Sequence, residues 1–299
     1  MPRRSKWAED MDAWEAALFG EGKSPNTVET YLEAADYALR FAKEHDWPLN
    51  PRQLTPAHVY QYYENLQGYR SKTQATYMFG FMHLMKFVKN PGVKSLKLHL
   101  KPERGEVYWL EREQIMKLLE CWPTERLLAA RVLWIYTGIR EVETRHLRKR
   151  NLTERWLSVE SGKGRKARKI PIDDEFWAMM QPYLTWREQY ERRWGKTDYF
   201  LAHPEDHLHV RGPLKPFSEG TLSEMSKEHG RSIGIEHANS HPFRRQFGRD
   251  LYYNQCPPTQ IQAYYGHTTL EQTMRYIGVE EEIAWEAMKK YRSSYRRKT

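Results

Sequence analysis

Thr124 to Leu147 reads Thr-Glu-Arg-Leu-Leu-Ala-Ala-Arg-Val-Leu-Trp-Ile-Tyr-Thr-Gly-Ile-Arg-Glu-Val-Glu-Thr-Arg-His-Leu. Thr124 supplies a hydroxyl N-cap, and Leu127 to Ile135 is apolar nearly all round, the pattern of a buried helix. Gly138 then lets the chain turn sharply. Arg140 opens the next helix, and Glu143, three residues on, lies on the same face and can orient its guanidinium. The stretch predicts the centre of a mixed, mostly helical domain. Upstream, Leu110 to Leu119 reads as helix. Downstream, Trp156 to Glu160 and Lys169 to Ile172 read as two short strands, with Gly162-Lys163-Gly164 as the hairpin tip between them. Amphipathic helices are expected over 173–191, 218–232, 241–253 and 258–264. A last one begins at Glu280, carries Ile283, Trp285 and Met288, and dissolves into a basic tail.

The first hundred residues predict a separate module of four packed helices. Ser24-Pro25 and Thr55-Pro56 each place a hydroxyl cap before a proline at the first helical position, where its missing N–H costs nothing. Val28, Tyr31, Leu32, Ala35, Leu39 and Ala42 follow helical spacing, as do Tyr77, Phe81, Leu84, Met85 and Val88. Shorter helices are expected over Trp7 to Leu18 and Ala57 to Leu66. Asn90-Pro91-Gly92 ends the last helix. Arg70, Lys72, Lys86, Lys89, Lys94, Lys97, Lys101 and Arg104 face a single acid, Glu103, between residues 69 and 104. That run reads either as a solvated face or as a surface for a phosphate backbone.

Composition narrows the class. The 299 residues carry 48 Lys plus Arg against 39 Asp plus Glu, a net charge of +9, with 39% hydrophobic and 13% aromatic residues. So much apolar material excludes disorder over most of the chain. No apolar run is long enough to span a membrane, and the start, with Arg3, Arg4 and Lys6, shows no secretory signal. Cys121 and Cys256 are too few for a disulfide framework or a cysteine zinc site. These features point to a cytoplasmic protein, and Asn151-Leu152-Thr153 is then a sequon without consequence. The positive surplus suits a polyanionic partner. His203, His207 and His209 sit among proline and acids in an expected loop, where metal ligation is not the favoured reading.

Four separated clusters carry the chemistry. The first is Thr137-Gly138-Ile139-Arg140 with Glu143. The second is Gly162-Lys163-Gly164-Arg165-Lys166-Ala167-Arg168-Lys169-Ile170-Pro171, whose basic, glycine-flanked tip suits a phosphate backbone. A lysine there can also deliver a proton to a leaving alkoxide. The third is His241-Pro242-Phe243-Arg244, where His241 and Arg244 project from one helical face. The fourth is Tyr265-Gly266-His267, followed nine residues later by Tyr276. Taken singly, each also reads as an ordinary corner, turn or cap.

In this order and at these separations the clusters resemble the tyrosine recombinase family of phage integrases and Xer-like enzymes, over roughly residues 10 to 285. Two positions depart from the family's pattern: Tyr265 stands where leucine is usual, and Arg245 where histidine is common. The resemblance implies a mainly α (α+β) fold. A helical, SAM-like core-site DNA-binding domain would occupy 1–94, a linker 95–108, a catalytic domain with a small β-hairpin 109–285, and a basic tail 286–299. The length leaves no room for an additional arm-binding domain.

The resemblance also implies roles. Tyr276 is the nucleophile that forms a 3′-phosphotyrosyl bond. Arg140 and Arg244 clamp the nonbridging oxygens, Lys163 is the general acid, His241 assists proton transfer, His267 bonds the phosphate, and Glu143 supports Arg140. Arg70, Lys72, Lys86, Lys89, Arg165, Lys166 and Arg168 are expected to contact DNA. No cofactor or metal is expected, and the partners are paired double-stranded DNA sites in a homotetramer that exchanges strands through a Holliday junction. Two rival readings use the same residues: a type IB topoisomerase that relaxes DNA alone, and a catalytically idle DNA-binding accessory protein.

Overall fold

The computed structural model describes residues 6–98, 100, 107–160, 167–206, 211–278, 285, 288, 289 and 292. Among them no helix is long and apolar enough to cross a membrane. The chain divides into two compact units, Met1–Glu106 and Val107–Thr299.

The first unit holds α1 (Lys6–Gly20), α2 (Pro25–Glu44), α3 (Pro56–Asn65) and α4 (Ser71–Phe87). The caps form as the sequence dictates. Ser24 Oγ accepts from the Thr27 amide and Thr55 Oγ1 from the His58 amide, each with proline opening the helix. Trp7, Trp14, Val28, Phe41, Tyr62, Phe81 and Leu84 make the core. Asn90 closes the unit after α4: its buried side-chain amide donates to the carbonyls of Pro51 and Leu54.

The second unit comprises α5 (Arg112–Glu120), α6 (Glu125–Thr137), α7 (Glu141–His146), β1 (Trp156–Val159), β2 (Arg168–Pro171) and α8 (Asp174–Trp194). It continues with β3 (His203–Asp206), β4 (Arg211–Lys215), α9 (Thr221–Ser232), α10 (Ser240–Tyr253), α11 (Pro258–Tyr265) and α12 (Leu270–Ile277). Helix α6 lies at the centre with residues 127–134 all buried, and α8, α9 and α10 pack around it. Burying a Leu or Val side chain contributes about 1.5–3 kcal/mol, so this one helix anchors the unit. Strands β1 and β2 pair antiparallel with Trp156 opposite Pro171, and β2 begins one residue earlier than the sequence suggests. The antiparallel pair β3–β4 corrects the loop expected around His203. His203 is buried at the start of β3 against Phe217, while His207 and His209 lie outside the described residues.

Candidate active site

Helix-ending glycines and helix N-caps, each set by local sequence, bring the polar groups together. Helix α6 ends at Gly138 in the left-handed conformation, φ 60°. A side chain there would be strained and would overlap the Phe247 ring. The turn sets Arg140 as the extended N-cap of α7, with Glu143 reaching back to it: the Arg140 amide donates to Glu143 Oε2 at 2.7 Å and Arg140 Nη1 to Oε1 at 3.2 Å. Asn239 caps α10 and places His241 and Arg244 one turn apart. Helix α11 ends at Gly266, φ 62°, and Thr269 caps α12, which carries Tyr276 near its end.

The side chains then meet. Arg244 is almost wholly buried and donates through Nη1 to the Gly138 carbonyl and through Nη2 to the Tyr265 carbonyl at 2.9 Å. Arg140 Nη1 reaches the same Tyr265 carbonyl at 3.1 Å. The Tyr276 hydroxyl lies 3.0 Å from His241 Nδ1, and the Arg244 guanidinium stands 5.8 Å from the Tyr276 ring centre. His267 Nδ1 is 3.0 Å from Thr273 Oγ1, and its ring stands edge-on to Tyr276 at 5.5 Å. The structure therefore unites Arg140, Glu143, His241, Arg244, His267 and Tyr276 from five elements and loops.

Electrostatics follow from burial. Burial alone would raise the Glu143 carboxyl, but hydrogen bonds and charge from Arg168, then Arg140, hold it at about 2. Arg244 is lowered to about 10 by burial and by the like charge of Arg140, so it stays cationic at neutral pH. His267 is lowered to about 3 by burial and by Arg244, Arg140 and Arg168, which keeps its imidazole neutral. Burial lifts the Tyr276 phenol above its usual value, and Arg244, Arg245 and Arg140 pull it partly back.

Arg168 corrects an expectation. Instead of facing DNA it turns inward, its side chain only 8% exposed, and grips Glu143 with both terminal nitrogens at 3.0 and 2.7 Å. Its Nε donates to the Tyr264 carbonyl at 2.6 Å. The physical reason is strand parity: Arg168 shares the inward face of β2 with buried Ile170, while Lys169 between them is exposed. Lys163, Arg165 and Lys166 lie outside the described residues. Arg70, Lys72, Lys86 and Lys89 are exposed on the first unit. Sequence reasoning assigned no role to the Tyr265 carbonyl, to Thr273, or to Arg245, whose guanidinium stands 5.4 Å from the Tyr276 ring centre. Backbone carbonyls leave no mark in a sequence; Arg245 had one signal, its departure from the usual histidine. No group of three or more His, Cys, Asp or Glu able to hold a metal ion occurs among the described residues.

A sequence model of the phage integrase family matches residues 108–282. Tyrosine recombinase XerA of Pyrococcus furiosus is 31% identical over 188 residues, 60% of this chain and 60% of that protein. The chain thus spans under two thirds of that relative's length. Tyrosine recombinase XerA of Thermococcus onnurineus is 27% identical over 293 residues, 95% of both chains. The crystal structure of XerH site-specific recombinase bound to a palindromic difH substrate, a post-cleavage complex, shares the fold. It superposes with a TM-score of 0.65 at 18% identity, covering 87% of this chain and 78% of that one.

Proposed function

This chain belongs to the phage integrase family, and on that footing we propose that it is a site-specific DNA recombinase that cuts and rejoins strands through a covalent tyrosine–phosphate bond. The observation that carries the reading is the Tyr276 hydroxyl held 3.0 Å from His241 Nδ1 beside the Arg244 guanidinium, with Arg140 drawn to the same carbonyl as Arg244. The relatives named above are tyrosine recombinases, which supports the same reading.

Tyr276 attacks the scissile phosphorus. The Tyr276 oxygen–phosphorus bond forms as the bond to the 5′-oxygen breaks, giving a 3′-phosphotyrosyl ester and a free 5′-hydroxyl. Taking the proton from a phenol of pKa near 10 or above costs roughly 4 kcal/mol or more at neutral pH, so a base at the hydroxyl matters. His241 Nδ1 takes that proton, and Lys163 gives one to the leaving 5′-oxygen. Arg140 and Arg244 grip the nonbridging oxygens as planar, permanently charged forks, meeting the charge that builds on phosphorus with donors already in place. Neutral His267 donates to the phosphate through Nε2 when Thr273 donates to its Nδ1. Glu143 orients Arg140.

The phosphotyrosyl ester conserves the bond energy, so the reverse attack by a partner strand's 5′-hydroxyl reseals DNA without ATP. Two such exchanges on paired double-stranded sites make a Holliday junction, and a second pair resolves it. Four protomers around two duplexes hold such a reaction. Trp285 and Met288, 71% and 49% exposed, belong to the segment through which one protomer engages its neighbour. Such a substrate is met at the nucleoid, in the cytoplasm. Covalent complexes trapped with detergent on genomic fragments would reveal the site; a plasmid with two copies should then yield recombinants. Relaxed plasmid without recombinants would instead mark a topoisomerase, and binding without covalent complexes an accessory protein.

A further inference from the structure

Tyr265, the fully buried last residue of α11, touches four of the groups given roles above, and Arg244 most of all. Its ring lies under the Arg244 guanidinium, 4.3 Å from ring centre to Cζ. Its hydroxyl donates to the Arg244 carbonyl on α10 at 2.5 Å. Its own carbonyl accepts from Arg244 Nη2 and Arg140 Nη1. The same ring stands edge-on to Tyr276 at 5.3 Å and 79° and packs against His267 at 4.8 Å. Gly248 makes the arrangement possible, since a Cβ there would overlap the Tyr265 hydroxyl and the Ile277 side chain.

Resting on the recombinase reading, we propose that Tyr265 is a positioning residue whose aromatic face fixes the plane of the Arg244 guanidinium against the phosphate and the Tyr276 hydroxyl. A cation over a ring face is attracted by the negative lobe of the π-system, most strongly where water is excluded. Arg244 is such a cation: carbonyls and rings surround it where a carboxylate would otherwise stand. Stacking constrains the guanidinium plane while its edge N–H donors remain available to phosphate oxygens. Leucine at this position would fill volume but present no negative face, and it would lose the hydroxyl's bond to the Arg244 carbonyl on α10. Tyr265 is itself no candidate nucleophile. Its hydroxyl is committed to the Arg244 carbonyl, and burial pushes its pKa far above the ordinary value.

The test replaces position 265 with phenylalanine and with mono-, di- and trifluorinated phenylalanines, which keep shape while draining the ring face of charge. Adduct formation is followed in single turnover on a nicked duplex bearing the recovered site, beside DNA affinity and melting temperature. The cleavage rate should fall stepwise with fluorination, by about tenfold overall, while DNA affinity and melting temperature stay level. A merely structural ring would not produce that series. Equal rates across the fluorinated rings, or wild-type rates in Tyr265→Leu, would overturn the inference. Absence of any adduct with the unmodified chain would refute the recombinase reading instead, so the two failures are distinguishable.

Discussion

Replacing Arg168 by methionine separates the inward role from the outward one. Methionine keeps much of the length but removes both bonds to Glu143 and the one to the Tyr264 carbonyl. Glu143 is held near 2 from an ordinary 4.5; at about 1.4 kcal/mol per unit, its folded-state interactions are worth roughly 3 kcal/mol. The carboxylate is only 10% exposed, so solvent discounts this little. Removing one partner of a buried pair costs about 3–5 kcal/mol, and the Arg140 amide and Nη1 still hold the carboxylate, so the lower end applies. For a unit of this size the melting temperature should fall by roughly 6–12 °C.

Thermal unfolding of the full chain reads that shift, and Glu143→Gln added to the same background should recover part of it by neutralising the stranded charge. Adduct formation should slow by about tenfold, because Arg140 loses part of its anchoring and one misplaced oxyanion donor costs at most about 10²–10³. The salt dependence of DNA binding should stay as in the wild type. An unchanged melting temperature with a salt slope shallower by about one charge would show Arg168 reaching for DNA, and the argument from strand parity would fail.

Tyr276→Phe should abolish covalent adducts on a nicked duplex while DNA affinity stays close to wild type; adducts that persist would place the nucleophile elsewhere. His267→Asn should flatten the acid side of the stability profile. The folded-state pKa of His267 is lowered, so the unfolded chain binds the extra proton, and the contribution is present above pH 6.5 and lost as pH falls toward 3. Melting temperatures between pH 6.5 and 4.5, above the range where Glu143 titrates, should therefore drop less in the variant; parallel curves would contradict a buried neutral imidazole. Lys163→Ala should slow cleavage of ordinary DNA strongly but leave DNA with sulfur at the 5′-bridging position much less affected, since thiolate leaves without a proton. Equal slowing on both substrates would remove Lys163 from the general-acid role.

The legible parts of this fold are those written in local chemistry. Ser24-Pro25, Thr55-Pro56 and Thr124 announce helix starts because a hydroxyl cap and a proline act within one turn, and the apolar run ahead of Gly138 marks α6 as central. The order of Arg140, His241, Arg244, His267 and Tyr276 points to a shared site only through the family resemblance, and the structure shows those distant clusters meeting at helix ends. Less legible was β3–β4, where the proline and acids around His203 read as a loop although a short edge pair tolerates proline. Arg168 looked like one more cation in a basic tip. Its two-residue offset from Ile170 was the available clue, but parity decides a side chain's direction only once the strand register is known. The convergence of Arg140 and Arg244 on the Tyr265 carbonyl had no clue at all, because every residue carries the same carbonyl.

The charge of the assembled site explains why these contacts are arranged as they are. Among the described residues three guanidiniums, from Arg140, Arg168 and Arg244, share one hydrogen-bonded cluster with one carboxylate, Glu143. Arg168 and Arg140 engage that carboxylate, whereas Arg244 is left to carbonyls and aromatic faces. Burial without a directly bonded counter-anion is costly, and burial together with the like charge of Arg140 lowers Arg244 to about 10. In the proposed reaction a phosphodiester brings one negative charge into the cluster, and the pentacoordinate transition state of each transfer, cleavage and rejoining alike, brings more. The excess positive charge that destabilises the free protein is therefore relieved most where the reaction barrier lies, which is the condition for catalysis rather than tight ground-state binding. Neutral His267 fits the same logic, since another buried cation would add to the repulsion before DNA arrives, while an N–H donor adds stabilisation only once phosphate is present.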